Sequence, residues 1–185
     1  RDSPEETTPE QMANIGHDCP SGAITYERLD SGPQETAPEV NVLRVRENGP
    51  YAVHATIAME GQEPMFRATL CRCGKSRNKP FCDSTHLEVG FTATGESAVI
   101  ESNPLDSRCG ELAIDPTSNG PLEFTGNLEI CGGTGHTIRR VQTARLCRCG
   151  GSANKPFCDN VRARVSGLVL AADVLRALGH GFAGR

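Results

Sequence analysis

The residues best suited to chemistry lie in LCRCGKSRNKPFCDSTH, residues 70–86, which places Cys71, Cys73, Cys82 and His86 in one short run. Three thiols and an imidazole this close together point to a metal centre. Thiolates select zinc, copper(I) and iron–sulfur clusters, while imidazole suits zinc and iron. The spacing C-x-C-x8-C-x3-H leaves two readings open. A single zinc ion held by a Cys3His set would staple a small fold and have no redox role. A binuclear iron–sulfur cluster offers two irons that each take two protein ligands, and it suits two pairs: Cys71 with Cys73, then Cys82 with His86. Zinc knuckles usually space their cysteines as C-x2-4-C, so the single residue between Cys71 and Cys73 counts mildly against the zinc reading.

Much of the run recurs at residues 146–162, LCRCGGSANKPFCDNVR, with Cys147, Cys149 and Cys158. The histidine does not recur; Arg162 occupies its place, and a guanidinium is a poor metal ligand at neutral pH. Two readings follow here as well. Either the second site binds a cluster with a substitute fourth ligand, such as water, His180 or His136, or it is an empty structural loop. Three further cysteines have weaker contexts. Cys19, in HDCPSGAITY, and Cys109, in DSRCGE, read as free thiols, and Cys131 with His136 in CGGTGHT reads as incidental.

Cys71-Arg72-Cys73, Ser76, Pro80-Phe81-Cys82-Asp83 and His86 resemble the signature of the CDGSH iron–sulfur domain family, which includes the mitoNEET-like proteins. Ser84-Thr85 is a mild departure, standing where the family most often has Gly-Ser or a near variant. The resemblance covers roughly residues 40–95 and 112–165. It implies a 2Fe–2S cluster held by three cysteines and one histidine, with Cys71 and Cys73 on the inner iron and Cys82 and His86 on the outer one. It also implies that Asp83 accepts hydrogen bonds from the backbone of the following turn and that Ser76 donates to a cluster sulfur. Replacing a thiolate by neutral imidazole makes such a cluster less negative and raises its potential. The ring's free nitrogen can exchange a proton, which couples redox state to pH. Electron transfer, cluster transfer and redox sensing are the functions this implies, with redox or cluster-acceptor proteins as partners. The Cys-Pro-Ser-Gly-Ala-Ile run at Cys19 resembles the last cysteine segment of a divergent ferredoxin-like domain. The upstream cysteines are absent, so it reads as a remnant.

The elements that must position these residues are short. Residues 40–45 (VNVLRV), 51–58 (YAVHATIA) and 65–70 (MFRATL) are β-prone runs separated by the turn signals ENGP and EGQEP, and the last feeds directly into Cys71. His54 lies in this alternation and reads as a surface side chain. A second pass begins near Leu112: NGPYAV at 48–53 answers to NGPLEF at 119–124, at an interval of 71 residues against 76 between the cysteine runs. The extra residues are expected in the Gly-rich turn at 131–137. The fold class expected is therefore α+β, small and mostly β: two repeated units of short antiparallel strands, cluster loop and short helix, in a pseudo-twofold arrangement within a monomer. Residues 1–39 read as an acidic N-terminal segment and linker, with Thr8 and Pro9 suited to start a helix. Residues 40–96 read as the first unit, 112–165 as the second and 166–185 as a helical tail. In the tail, Leu168, Ala171, Ala172, Leu175 and Leu178 recur at helical spacing before Gly179.

Composition narrows the function classes. Residues 1–40 hold nine acidic against two basic side chains in a chain of net charge −4, so no strongly basic face for nucleic acid is expected. No apolar run reaches the ~18 residues of a membrane span. Neither a Gly-rich nucleotide loop nor a Ser-His-Asp pattern supports catalysis, and the chain is expected not to be an enzyme. The nine cysteines are odd in number and six fall in the two matched groups, which favours ligands in a reducing compartment, cytoplasm or organelle matrix, over secreted disulfides. The chain starts at Arg1, which is compatible with processing or truncation.

Overall fold

The computed structural model describes residues 7–118 and 120–160. Among them are six strands and two short helices: α1 (Pro9–Asp18), β1 (Val42–Val45), β2 (Tyr51–Ala58), β3 (Met65–Leu70), α2 (Thr85–Glu88), β4 (Glu111–Pro116), β5 (Leu122–Cys131) and β6 (Thr137–Leu146). The helical tail expected over 166–185 lies outside the described residues, as do Arg162 and His180.

Alternating apolar side chains make the strands. Tyr51, Val53, Ala55 and Ile57 of β2 are buried while the residues between them are not, and His54 is exposed. Strand β1 repeats the pattern with Leu43 and Val45. It starts at Val42, two residues later than the sequence suggests, and Asn41, just before it, joins the loop at Arg108 to β5, its N donating to Arg108 O (2.7 Å) and its O accepting from Glu129 N (2.9 Å). The buried Asn41 carboxamide donates to the carbonyls of Gly110 and Asn127, both at 2.9 Å.

Each half builds an antiparallel ribbon, β1–β2–β3 and β4–β5–β6. The halves then exchange edges. Strand β1 runs parallel to β5, with Leu43 opposite Ile130, and β4 runs parallel to β2, with Leu112 opposite Ile57. All six strands thus belong to one sheet. Its apolar faces close on one core that mixes residues of both halves, among them Leu43, Tyr51, Ile57 and Leu70 with Leu112, Leu122, Phe124 and Leu146. Full burial of each aliphatic side chain contributes about 1.5–3 kcal/mol, so each half draws part of its core stabilisation from the other.

The N-terminal segment is docked. Helix α1 begins with a capping box, in which the Thr8 hydroxyl accepts from Gln11 N and the Gln11 side chain accepts from Thr8 N. Arg67, buried on β3, donates to the carbonyls of Cys19 (3.1 Å) and Ile24 (3.3 Å) and to the Glu35 carboxylate (2.9 Å). Charge-assisted bonds of this kind are the strong ones. They hold the stretch read as linker against the first half. No helix among the described residues is long and apolar enough to cross a membrane.

Candidate metal centre

The first cysteine loop is a continuation of the sheet. Beyond Leu70 the chain leaves β3, turns and comes back antiparallel: Leu70 bridges Phe81, Cys71 N donates to Pro80 O (2.8 Å) and Cys82 N donates to Thr69 O (2.9 Å). Cys71 and Cys82 are thereby brought to the same base. Ser76 closes the loop from inside, donating to Phe81 O (2.6 Å) and accepting from Asn78 N (3.0 Å), while Lys79 Nζ donates to Ser76 O (2.6 Å). The expected role of Ser76 as donor to a cluster sulfur is therefore corrected. A hydroxyl has one proton to give, and here Phe81 O takes it.

Asp83 behaves as expected and does more. Its carboxylate accepts from Thr85 N in the following turn (3.1 Å) and from Arg77 N across the loop (2.8 Å). These bonds hold its carboxyl well below the usual carboxylate range, with the Arg77 amide the larger cause. The turn delivers His86 on α2 beside Cys82.

The potential ligands arrive in twos. Cys71 Sγ and Cys73 Sγ are 3.8 Å apart, and Cys82 Sγ and His86 Nδ1 are 3.4 Å apart. Two ligands at metal–ligand distances of about 2.0–2.3 Å, set at a tetrahedral angle, lie roughly 3.4–3.8 Å from one another. Each pair thus has the spacing of two ligands of one metal. Among the described residues no group of three or more Cys, His, Asp or Glu side chains is arranged to hold a single metal ion. Burial pushes the Cys73 and Cys82 thiols up, and the Lys75 and Ser84 amides partly offset this. Both thiols are protonated at neutral pH without a metal, so metal binding displaces protons.

The second loop repeats the first almost bond for bond. Leu146 bridges Phe157, Cys147 N donates to Pro156 O (2.8 Å) and Cys158 N to Arg145 O (2.9 Å). Ser152 Oγ donates to Phe157 O (2.7 Å), Lys155 Nζ to Ser152 O (2.6 Å) and Ala153 N to the Asp159 carboxylate (2.9 Å). Cys147 and Cys149 are 3.5 Å apart. His136 is turned to Thr134 Oγ1 (3.2 Å) and the Glu96 carboxylate (3.0 Å), not to the three cysteines.

The two loops lie back to back. Gly74 (φ +77°) and Gly150 (φ +76°) are left-handed, and a Cβ at Gly74 would stand 3.0 Å from the Cys149 backbone, while one at Gly150 would stand 3.1 Å from Cys73 O. Glycine is favoured at both positions by conformation and by space.

Two residues to which sequence reasoning gave no role of their own join the loops. Arg72, 1% exposed, donates to the carbonyls of Arg46, Ala93 and Thr94 and lies 5.7 Å from the ring centre of Tyr51. Tyr51 reaches the other loop, donating its hydroxyl to Cys147 O (2.8 Å) and Pro156 O (3.1 Å). The signal for Arg72 was present, since Arg148 occupies the same place between the cysteines of the second run. That for Tyr51 was not.

The other cysteines stay apart from these pairs. Cys19 caps α1, and its thiol, 3.3 Å from the Ser21 hydroxyl, is drawn down to about 7 chiefly by that bond. Cys109 is exposed, and Cys131 is buried, with its thiol pushed up by burial.

Comparison with known proteins agrees with this geometry. The family described as "Iron-binding zinc finger CDGSH type" matches residues 48–87 and 119–161, one segment in each half. Two relatives, from Rattus norvegicus and Mus musculus, both bear the name "CDGSH iron-sulfur domain-containing protein 1". Each is 30% identical over 67 residues, which is 36% of this chain and 58% of the relative. The chain thus spans less than two thirds of the relatives' length. No solved structure matches. With a matched segment ending at each cysteine loop, the chain belongs to the CDGSH family and carries its motif in tandem.

Proposed function

We propose that the chain is a 2Fe–2S protein that carries electrons, passes its cluster to an acceptor protein or senses redox state, and is not an enzyme with an organic substrate of its own. Family membership supports iron–sulfur binding. The observation that carries the binuclear reading is the pairing of donors: Cys71 with Cys73 and Cys82 with His86, each at the spacing of two ligands of one metal. Cys147 and Cys149 form a like pair, with Cys158 across the second loop. A Cys3His zinc site needs four donors that converge on one point, and the described residues are not so arranged. When bound, the cluster supplies reversible one-electron chemistry. The chain's own residues set its surroundings: Arg72 and Ser76 fix the loop, Asp83 fixes the turn that aims His86, and the sheet shields the inner pair, Cys71 and Cys73 being buried.

The reciprocal edge exchange, β1 on β5 and β4 on β2, supports a pseudo-twofold arrangement within a monomer. All nine cysteines are free thiols, which supports a reducing compartment, the cytoplasm or an organelle matrix. The test is a visible absorption spectrum with iron, sulfide and zinc analysis of protein purified without added metal. A coloured protein with equal iron and sulfide is expected. A colourless one with a single zinc per chain would show the alternative, a zinc-stabilised interaction module.

A further inference from the structure

The second loop lacks the histidine but has kept the architecture of a site. The serine, lysine and backbone ties of the first loop recur in it, with Ala153 N on the Asp159 carboxylate in place of Arg77 N on Asp83, and it has one the first lacks. Tyr51, fully buried, donates to Cys147 O and Pro156 O, whereas its counterpart in the repeat, Leu122, has no hydroxyl to offer the first loop. An idle loop needs neither paired thiols 3.5 Å apart nor a buried phenol committed to holding them.

What stands beside Cys158 is Asn160. It has the same left-handed backbone as Ser84 in the first loop (φ +60° against +69°), and its amide N–H lies 3.4 Å from Cys158 Sγ. Ser84 ends in a short hydroxyl, but Asn160 carries a carboxamide, and its Oδ1 lies 3.9 Å from Cys158 Sγ. There the thiol donates to that oxygen at 3.9 Å, about 0.4 Å longer than the roughly 3.5 Å expected for a sulfur and an oxygen ligand of one tetrahedral metal, so a small rotation of the carboxamide would bring it to ligand spacing. The corresponding first-loop pair, Cys82 Sγ and His86 Nδ1, is at 3.4 Å. The chemistry also fits. A carboxamide oxygen, like the unprotonated nitrogen of imidazole, is a neutral donor with a lone pair and loses no proton on binding. The donor set in both loops is then three thiolates and one neutral group, with the same total charge. Aspartate or cysteine in that place would add a negative charge.

We infer that the second loop is a working 2Fe–2S site whose fourth ligand is the side-chain oxygen of Asn160, a Cys3Asn set beside the Cys3His set of the first loop. This rests on the iron–sulfur reading proposed above. A carbonyl oxygen is harder than imidazole and less suited to a thiolate-rich iron site, so the second cluster is the more labile of the two.

The experiment uses the full chain purified anaerobically, with iron and sulfide per chain, paramagnetic resonance of the reduced protein and titration of the reduction potential. Wild type should hold about four irons and show two resonance signals and two redox couples. Asn160→Leu, close in size but without a donor, should lower iron about twofold and remove one signal while the other, and cooperative melting, persist. Asn160→Asp keeps an oxygen ligand and adds a charge, so iron should stay at the wild-type level while one of the two couples shifts to lower potential. This variant decides the matter if Asn160→Leu fails to fold. Wild type with only half the expected iron, all of it lost in His86→Ala, would overturn the inference and leave the first-site reading standing. So would Asn160→Leu with wild-type iron, Asn160→Asp with both couples unmoved, or loss of the second signal in His180→Ala alone. Protein without iron would overturn both readings.

Discussion

The two cysteine loops share their cysteines, their serine tie and their aspartate clamp, yet differ in what faces the outer cysteine and in what props them from below. In the first, α2 brings His86 to Cys82; in the second, Asn160 stands beside Cys158. Beneath the second loop lies the Tyr51 hydroxyl, and Leu122 is the answering residue in the repeat. On the proposed reading, the scaffold that would fix three ligands is separable from the residue that would supply the fourth: the loop ties recur in both halves, and the residue facing the outer cysteine differs.

The largest expected effect comes from removing a ligand on one side only. His86→Ala should abolish the first cluster and lower iron per chain about twofold, with the second signal unmoved. His86→Cys should keep the iron but lower one reduction potential, because a thiolate adds the negative charge that neutral imidazole spares. An unchanged spectrum in both variants would show that His86 is not a ligand and that the loops do not differ in the way proposed.

Next come the glycines that let the loops touch. Gly74→Ala forces a left-handed alanine against the Cys149 backbone and should cost about 1–3 kcal/mol of stability, seen as a lower melting temperature. Because the contact is shared, iron release should speed up from both sites. Faster release from the first site alone would show that the loops act independently.

Tyr51→Phe separates them again. It leaves Cys147 O without the phenol, whereas Pro156 O keeps Cys147 N, so a loss of about 1–2 kcal/mol is expected. Only the second cluster should be released faster to a chelator. Equal acceleration at both sites would mean that the tyrosine supports the core in general and not that loop.

How much of this was legible in the sequence follows from the range of each interaction. The strand at 51–58 shows in its alternation, that at 65–70 in its β-prone run after a turn signal, α1 in Thr8-Pro9, and the candidate ligand pairs in the local spacings Cys-x-Cys and Cys-x3-His. Those signals span a few residues. Tyr51 meets Cys147 across 96 positions, Arg67 meets Glu35 across 32, and β1 joins β5 through a parallel pairing that no turn announces. Such contacts depend on packing, and side-chain type alone does not declare them. Ser76 was misread for a related reason: its hydroxyl could face the metal or close the loop, and the fold decides which.

The smallest effect is a pH dependence to which the second half contributes a buried carboxylate that the first half lacks. Glu129 of β5 is almost fully buried and receives Arg108 Nε (2.8 Å) and Nη2 (3.1 Å) and Arg140 Nε (3.2 Å). In the corresponding parallel register of the first half stands Thr56, opposite Glu111 as Glu129 is opposite Val42. The Arg108 bond, with Arg140 adding to it, holds the Glu129 carboxyl below its ordinary value of 4.5. A carboxyl with a folded-state pKa depressed in this way contributes stability that is present above its unfolded pKa and is lost as pH falls through the lower, folded value. The melting temperature should therefore decline as the medium is acidified below about pH 4.5. Glu129→Gln should lower it at neutral pH and flatten the acid slope, by a modest amount because both arginines are partly exposed and screened. Thr56→Val, the matching change in the first half, should leave the slope as it is. If Glu129→Gln also leaves it unchanged, the acid response arises in the groups common to both halves, and the asymmetry is limited to the loops.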